Sequence, residues 1–73
     1  MDYWTEIEEY LESRKGWISL NRIISETKVP EWIAEQWFKK IALNNRKYEI
    51  KFVLNNGKWE KMVRVNGKGK EKS

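Results

Sequence analysis

The apolar positions of this chain follow a helical period through its first half and a period of two near its end. In "DYWTEIEEYLESRKG" Tyr3, Trp4, Ile7, Tyr10 and Leu11 fall on one stripe, with Glu6, Glu9 and Glu12 opposite. That is the pattern of an amphipathic helix. Asp2 or Thr5 can cap its start, and Thr5 with Glu8 has capping-box spacing. Arg14 and Lys15 complement the negative helix end, and Gly16 is placed to supply the left-handed residue that stops it. The short apolar run "WISL" suits a strand or an extended connection. Ser19 then makes an N-cap for a short helix, "LNRIISETK", with Leu20, Ile23 and Ile24 inward. Pro30 fits the first turn of a third helix over residues 30–43, where its missing N–H costs nothing. The last two helices are joined only around Lys28 and Val29, the tight link of a helix-turn-helix.

In the third helix Ile33, Ala34, Trp37, Phe38 and Ile41 cluster in an arc of ~140°, while Trp32, Glu35, Gln36 and Lys39 face away. Trp32 and Trp37, five positions apart, stand about 140° apart around the axis, so they cannot share a face. Trp37 is therefore the core tryptophan. Trp32 has three readings: it caps the core edge, it contacts DNA, or it anchors a protein partner or second subunit. Trp is enriched at interface hot spots, and Leu43 shares that outward face.

From Tyr48 onward, "YEIKFVLNNGKWEKMVRV" alternates, and Asn56-Gly57 signals a two-residue hairpin turn with positive φ at both positions. That turn fixes the register: Leu54 opposes Trp59, Phe52 opposes Lys61, Ile50 opposes Val63 and Tyr48 opposes Val65. Only Lys61 in this set is not apolar, so the whole face is expected in the core. The stem of Lys61 is expected to cover Phe52 while its ammonium stays in water. On the other face Glu49 opposes Arg64, a favourable cross-strand pair. The closing "NGKGKEKS" has no apolar residue. The expected organisation is one α+β domain over residues 1–66 and a disordered basic tail over 67–73.

With 73 residues and no cysteine, no disulfide can staple the domain. The substitute is aromatic area: five Trp, three Tyr and two Phe, each able to bury roughly 150–250 Å². The net charge of +4 is unevenly spread. Residues 1–36 hold four basic and eight acidic side chains, net −4, whereas residues 37–73 hold eleven basic and three acidic, net +8. Such a gradient points to a polyanion met by the C-terminal half. The alternative is a merely solubilising surface.

Helix, short strand, helix, tight turn, helix and hairpin follow in the order of a winged helix-turn-helix domain, which residues 3–66 resemble in layout. Ile23, Val29, Ala34 and Trp37 match apolar sites of the helix-turn-helix pattern. Ile24 and Lys28 stand where it usually has a small residue and a glycine. The resemblance implies binding to double-stranded DNA, with the third helix in the major groove and the hairpin as a wing on the backbone or minor groove. By position, Trp32, Gln36 and Lys39 take the recognition face. Arg46 and Lys47 at the base of the wing, and Lys58 at its tip, take phosphate contacts.

The residue chemistry agrees with this in part. Gln36 can read adenine, and Lys39 or Lys40 can reach guanine or phosphate. Glu31 and Glu35 on the same helix oppose a purely electrostatic recognition face. Lys51, Lys58, Lys61, Arg64, Lys68, Lys70 and Lys72 on the hairpin and tail suit phosphate contacts that release counterions. The candidate DNA-binding set is Trp32, Gln36, Lys39, Lys40, Arg46, Lys47, Lys58, Arg64 and Lys68.

No histidine or cysteine can act as nucleophile, base or metal ligand, no glycine loop cradles phosphate, and Glu6, Glu8, Glu9 and Glu12 spread over a solvated helix face. A non-catalytic protein without cofactor, metal or small-molecule ligand is expected. The acidic N-terminus and the lack of an 18-residue apolar run fit neither a signal peptide nor a membrane span. The expectation is a cytoplasmic protein, nucleoid-associated if it binds DNA, and a homodimer if the outward aromatic face is covered. Its Lys, Ile and Asn content suits a virus, plasmid or archaeon with an AT-rich genome. The competing reading is a winged-helix module that docks another protein through the outward face of the third helix.

Overall fold

The computed structural model describes residues 2–66. Lys68 and the expected tail lie outside the described residues. Three helices, α1 (Tyr3–Arg14), α2 (Leu20–Thr27) and α3 (Glu31–Lys40), cover one face of a sheet of β1 (Ile18–Ser19), β2 (Tyr48–Asn55) and β3 (Lys58–Val65). The sheet is antiparallel in the order β1-β3-β2.

Local chemistry explains the boundaries. Asp2 caps α1 by accepting from the Trp4 N–H at 3.1 Å, and the Thr5 hydroxyl donates back to Asp2 rather than capping on its own. The left-handed residue that ends α1 is Lys15 (φ 62°), not Gly16. Its N–H still reaches Leu11 C=O, so the helix closes one residue earlier than the glycine suggested. Ser19 caps α2 through the Arg22 N–H at 3.1 Å. Lys28, in the glycine place of the helix-turn-helix pattern, takes the glycine conformation at φ 66°.

Pro30 precedes α3 instead of occupying its first turn, with an extended ψ of 143° and a carbonyl that accepts from the Ile33 and Ala34 N–H groups. The helix stops at Lys40, short of the expected residue 43. A 3-10 turn over Ala42–Asn44 follows, with the Asn44 side-chain amide donating to the Lys39 and Lys40 carbonyls. Those bonds satisfy two end carbonyls that a longer helix would have bonded itself.

The hairpin has the expected register from Tyr48↔Val65 to Asn55↔Lys58, with Asn56 (φ 54°) and Gly57 (φ 79°) in the turn. Its apolar face, however, is core only at the base. Tyr48 and Val63 are buried and Ile50 and Val65 pack beside them, but Phe52, Leu54 and Trp59 are 54%, 56% and 68% exposed. The strands outrun the helical layer, so alternation continues where nothing lies beneath it.

The core joins Ile7 and Leu11 of α1, Leu20 and Ile23 of α2, Val29 of the turn, Ala34, Trp37 and Phe38 of α3, and Ile18, Tyr48 and Val63 of the sheet. Trp37 is wholly buried, its ring edge-on to Tyr48 with centroids 5.2 Å apart. Burying an indole leaves its N–H in need of an acceptor. Glu8 of α1 supplies it at 3.1 Å.

Candidate nucleic-acid interface

Trp37 and Phe38 seat α3 on the core and so fix what its other side presents. Trp32, Gln36, Lys39 and Lys40 are all exposed there. Trp32 is 69% exposed, which sets aside the reading in which it caps the core edge. On one flank Trp32, Gln36 and Lys40 border an open groove completed by Asp2, Tyr3, Trp4 and Ile33. On the other, Trp32, Gln36 and Lys39 border a shallow depression with Glu31 and Glu35.

The wing meets α3 at the edge of that second flank. Phe52 of β2 meets Phe38 of α3 edge-on, with centroids 6.2 Å apart. One position across the hairpin, Lys61 Nζ lies 3.6 Å from a Glu35 carboxylate oxygen. The ammonium of Lys61, expected to stay in water, instead pairs with Glu35, and Phe52 beside it remains 54% exposed. Lys61 links the wing to α3 and balances one of the two glutamates that count against an anionic ligand.

The remaining cations divide by partner. Lys47 is held 3.0 Å from Glu12 of α1, and hydrogen bonding to that carboxylate raises its pKa above the ordinary 10.5. Arg64 is bonded to Glu49, its Nε donating at 2.9 Å. It lies on the sheet face away from the helices, with its guanidinium carbon 4.6 Å from the centre of the Trp17 ring and Lys51 Nζ 4.4 Å from the same ring. By contrast, no ion pair ties Lys39, Lys40, Arg46 or Lys58 to an acid among the described residues. These four, with Trp32 and Gln36, are brought to α3, the loop after it and the wing. Lys47 and Arg64 have acidic partners of their own.

Asp2, Glu31 and Glu35 border this side, and three further carboxylates are engaged elsewhere. Glu8 accepts from Trp37, Glu12 pairs with Lys47, and Glu26 of α2 lies 3.7 Å from Arg14. Glu8 and Glu12 are therefore half-buried partners of the core and hairpin base, not members of a freely solvated face. The same two carboxylates surround Tyr48, whose phenol is pushed above 10.0 first by burial and then by the Glu8 charge.

Sequence reasoning missed three features of this surface. The Glu8–Trp37 bond was signalled only by the unmet need of a core indole for an acceptor. The Glu35–Lys61 link depends on where the wing lies over α3, which no local pattern encodes. The exposed Leu54–Trp59 pair was hidden because alternation marks a face without saying how far the core extends beneath it.

Helix, strand, helix, tight turn, helix and two-stranded wing, in a sheet ordered β1-β3-β2, constitute the layout of a winged helix-turn-helix domain. Comparison with protein-family models, curated proteins and solved structures finds no match to this chain. Among the described residues no group of His, Cys, Asp or Glu is arranged to hold a metal ion. No helix there is long and apolar enough to cross a membrane.

Proposed function

We propose that this domain is a non-catalytic double-stranded DNA-binding protein, a small transcriptional regulator or architectural factor. In this reading α3 enters the major groove and the wing follows the adjacent backbone. The observation that carries it is the division of charge. Lys39 and Lys40 flank Trp32 and Gln36, and Arg46 and Lys58 stand on the following loop and the wing, all four without acidic partners among the described residues. Glu8, Glu12 and Glu26 are engaged elsewhere, Glu35 is balanced by Lys61, and Glu31 remains on the face. Unpaired cations at the ends of flexible stems are suited to displacing counterions from phosphates. Gln36 has the amide geometry to bond adenine in the major groove, and Trp32 offers apolar area for a thymine methyl or a sugar.

The test is affinity for duplex DNA as a function of salt. Contact with about five phosphates, including one from Lys68, gives a slope of log K against log[salt] of roughly −4 to −5. Deleting residues 67–73 should flatten that slope. Binding indifferent to salt overturns the reading.

A second reading is supported by the exposure of Trp32 on α3 and of Leu43 on the 3-10 turn that follows it, although the end of α3 at Lys40 breaks the continuous helix on which the two were expected to share a face. There α3 docks a protein, or a second copy of this chain, and DNA affinity is absent.

A further inference from the structure

The wing carries more apolar surface than its own fold uses. Leu54 and Trp59 form the cross-strand pair next to the turn-flanking Asn55–Lys58 pair, and both are more than half exposed. They lie on the same side of the hairpin as Phe52 and Lys61, which touch Phe38 and Glu35 of α3. Leu54 and Trp59 therefore sit past α3 on its side of the sheet. From Phe52, the last residue of this face on β2 in contact with α3, Leu54 is two residues further along, or about 7 Å at strand rise. That reach is close to the roughly 7.5 Å depth of the DNA minor groove.

We propose that the wing tip is an apolar wedge for duplex DNA, with Leu54 and Trp59 entering the minor groove, parting a base step and kinking the duplex. The inference rests on the DNA-binding reading above. With the wing on DNA, phosphates offer these two side chains nothing. Sugars and base faces are the only apolar surfaces within reach, and wedges of this kind bend DNA by 20–90°.

Charge chooses this occupant over a second copy. The apolar wing face, Tyr48 to Leu54 and Trp59 to Val65 at alternate positions, carries no carboxylate. Both wing acids lie on the opposite face with partners, Glu49 with Arg64 and Glu60 with the Asn55 amide. Lys58, beside the turn on the opposite face, has no ion pair among the described residues. A hairpin tip lodged in a groove has a phosphate strand on either side, so Lys58 meets phosphate there, whereas a second copy packed on the apolar face leaves that charge without a partner.

The experiment is energy transfer between dyes at the two ends of a duplex of about 30 bp, far shorter than the persistence length of about 150 bp. Saturating wild-type protein should bring the ends together. The Leu54→Ser/Trp59→Ser variant, altered only at exposed positions, should still bind and leave the duplex straight. A wild-type complex with straight DNA overturns the wedge while leaving DNA binding intact. Undiminished bending by the variant overturns it equally. Absence of any complex defeats the DNA-binding reading itself. Wild-type self-association in sedimentation without DNA, abolished by the same two substitutions, makes the tip an interface between copies and also overturns the wedge.

Discussion

The indole N–H of Trp37 donates to a carboxylate oxygen of Glu8 at 3.1 Å, tying the centre of α3 to the acidic side of α1. The contact supplements the burial of Ala34, Trp37 and Phe38, which orients α3 and leaves Trp32 and Gln36 outward. Trp37→Ala should cost about 3–5 kcal/mol, the range for emptying a large buried aromatic site. Glu8→Ala removes only the acceptor and should cost about 1–2 kcal/mol. Trp32→Ala, at a position 69% exposed, should stay within about 1 kcal/mol of wild type while weakening binding. Chemical denaturation of the three variants checks the order. An unfolded Trp32→Ala beside a tolerated Trp37→Ala would reverse the assigned helix faces.

Two left-handed residues give opposite expectations. Gly57→Val puts a β-branched side chain at φ 79° and should destabilise the hairpin by roughly 1 kcal/mol or more. Lys28→Gly relieves a lysine held at φ 66° between α2 and α3 and should raise stability by up to about 1 kcal/mol. Melting temperatures that move the other way would contradict these turn geometries.

Stability should fall in alkali. Lys47 and Tyr48 both have pKa values raised in the folded protein, Lys47 by its bond to Glu12 and Tyr48 by burial and the Glu8 charge. Each holds its proton more tightly folded than unfolded, so the associated stability is complete below the ordinary values of 10.0 for Tyr and 10.5 for Lys. It is lost as pH rises through the higher folded values. Tyr48→Phe should remove the tyrosine share of that loss, measured as the difference in unfolding free energy between neutral and alkaline solution.

The order of elements, the hairpin register and the opposite faces of Trp37 and Trp32 were legible because each was encoded locally. Asn56-Gly57 determines a turn, the turn determines the pairs, and helical spacing separates two tryptophans five residues apart. What stayed hidden was in part a local choice between neighbours and in larger part depended on distance in the chain. The end of α1 at Lys15 instead of Gly16 shows that a left-handed stop needs no glycine when the closing N–H bond to Leu11 is made. The exposed half of the hairpin face and the link from Lys61 to Glu35 follow from how far the helices extend beneath the wing, a tertiary fact. Among the candidate cations the hairpin register already paired Arg64 with Glu49, but nothing local separated Lys47, held by Glu12 of α1, from Lys39, Lys40, Arg46 and Lys58.

The Glu35–Lys61 pair gives a charge-specific prediction. Glu35→Gln releases Lys61 and removes a carboxylate beside the outward face of α3. Duplex DNA should then bind more tightly, and the salt slope should steepen by about 1, the share of one further phosphate contact. Weaker binding by this variant would show that the wing needs its link to α3 more than α3 needs the added charge.

Chemical-shift mapping of the labelled protein against duplex DNA tests the central claim most directly. The account predicts perturbation of the Trp32 indole N–H and of the amides of Gln36, Lys39, Lys40, Arg46 and Lys58, reversed by added salt, with Glu9 and its neighbours on α1 unmoved. An unchanged spectrum at saturating DNA, or shifts confined to α1, would contradict it.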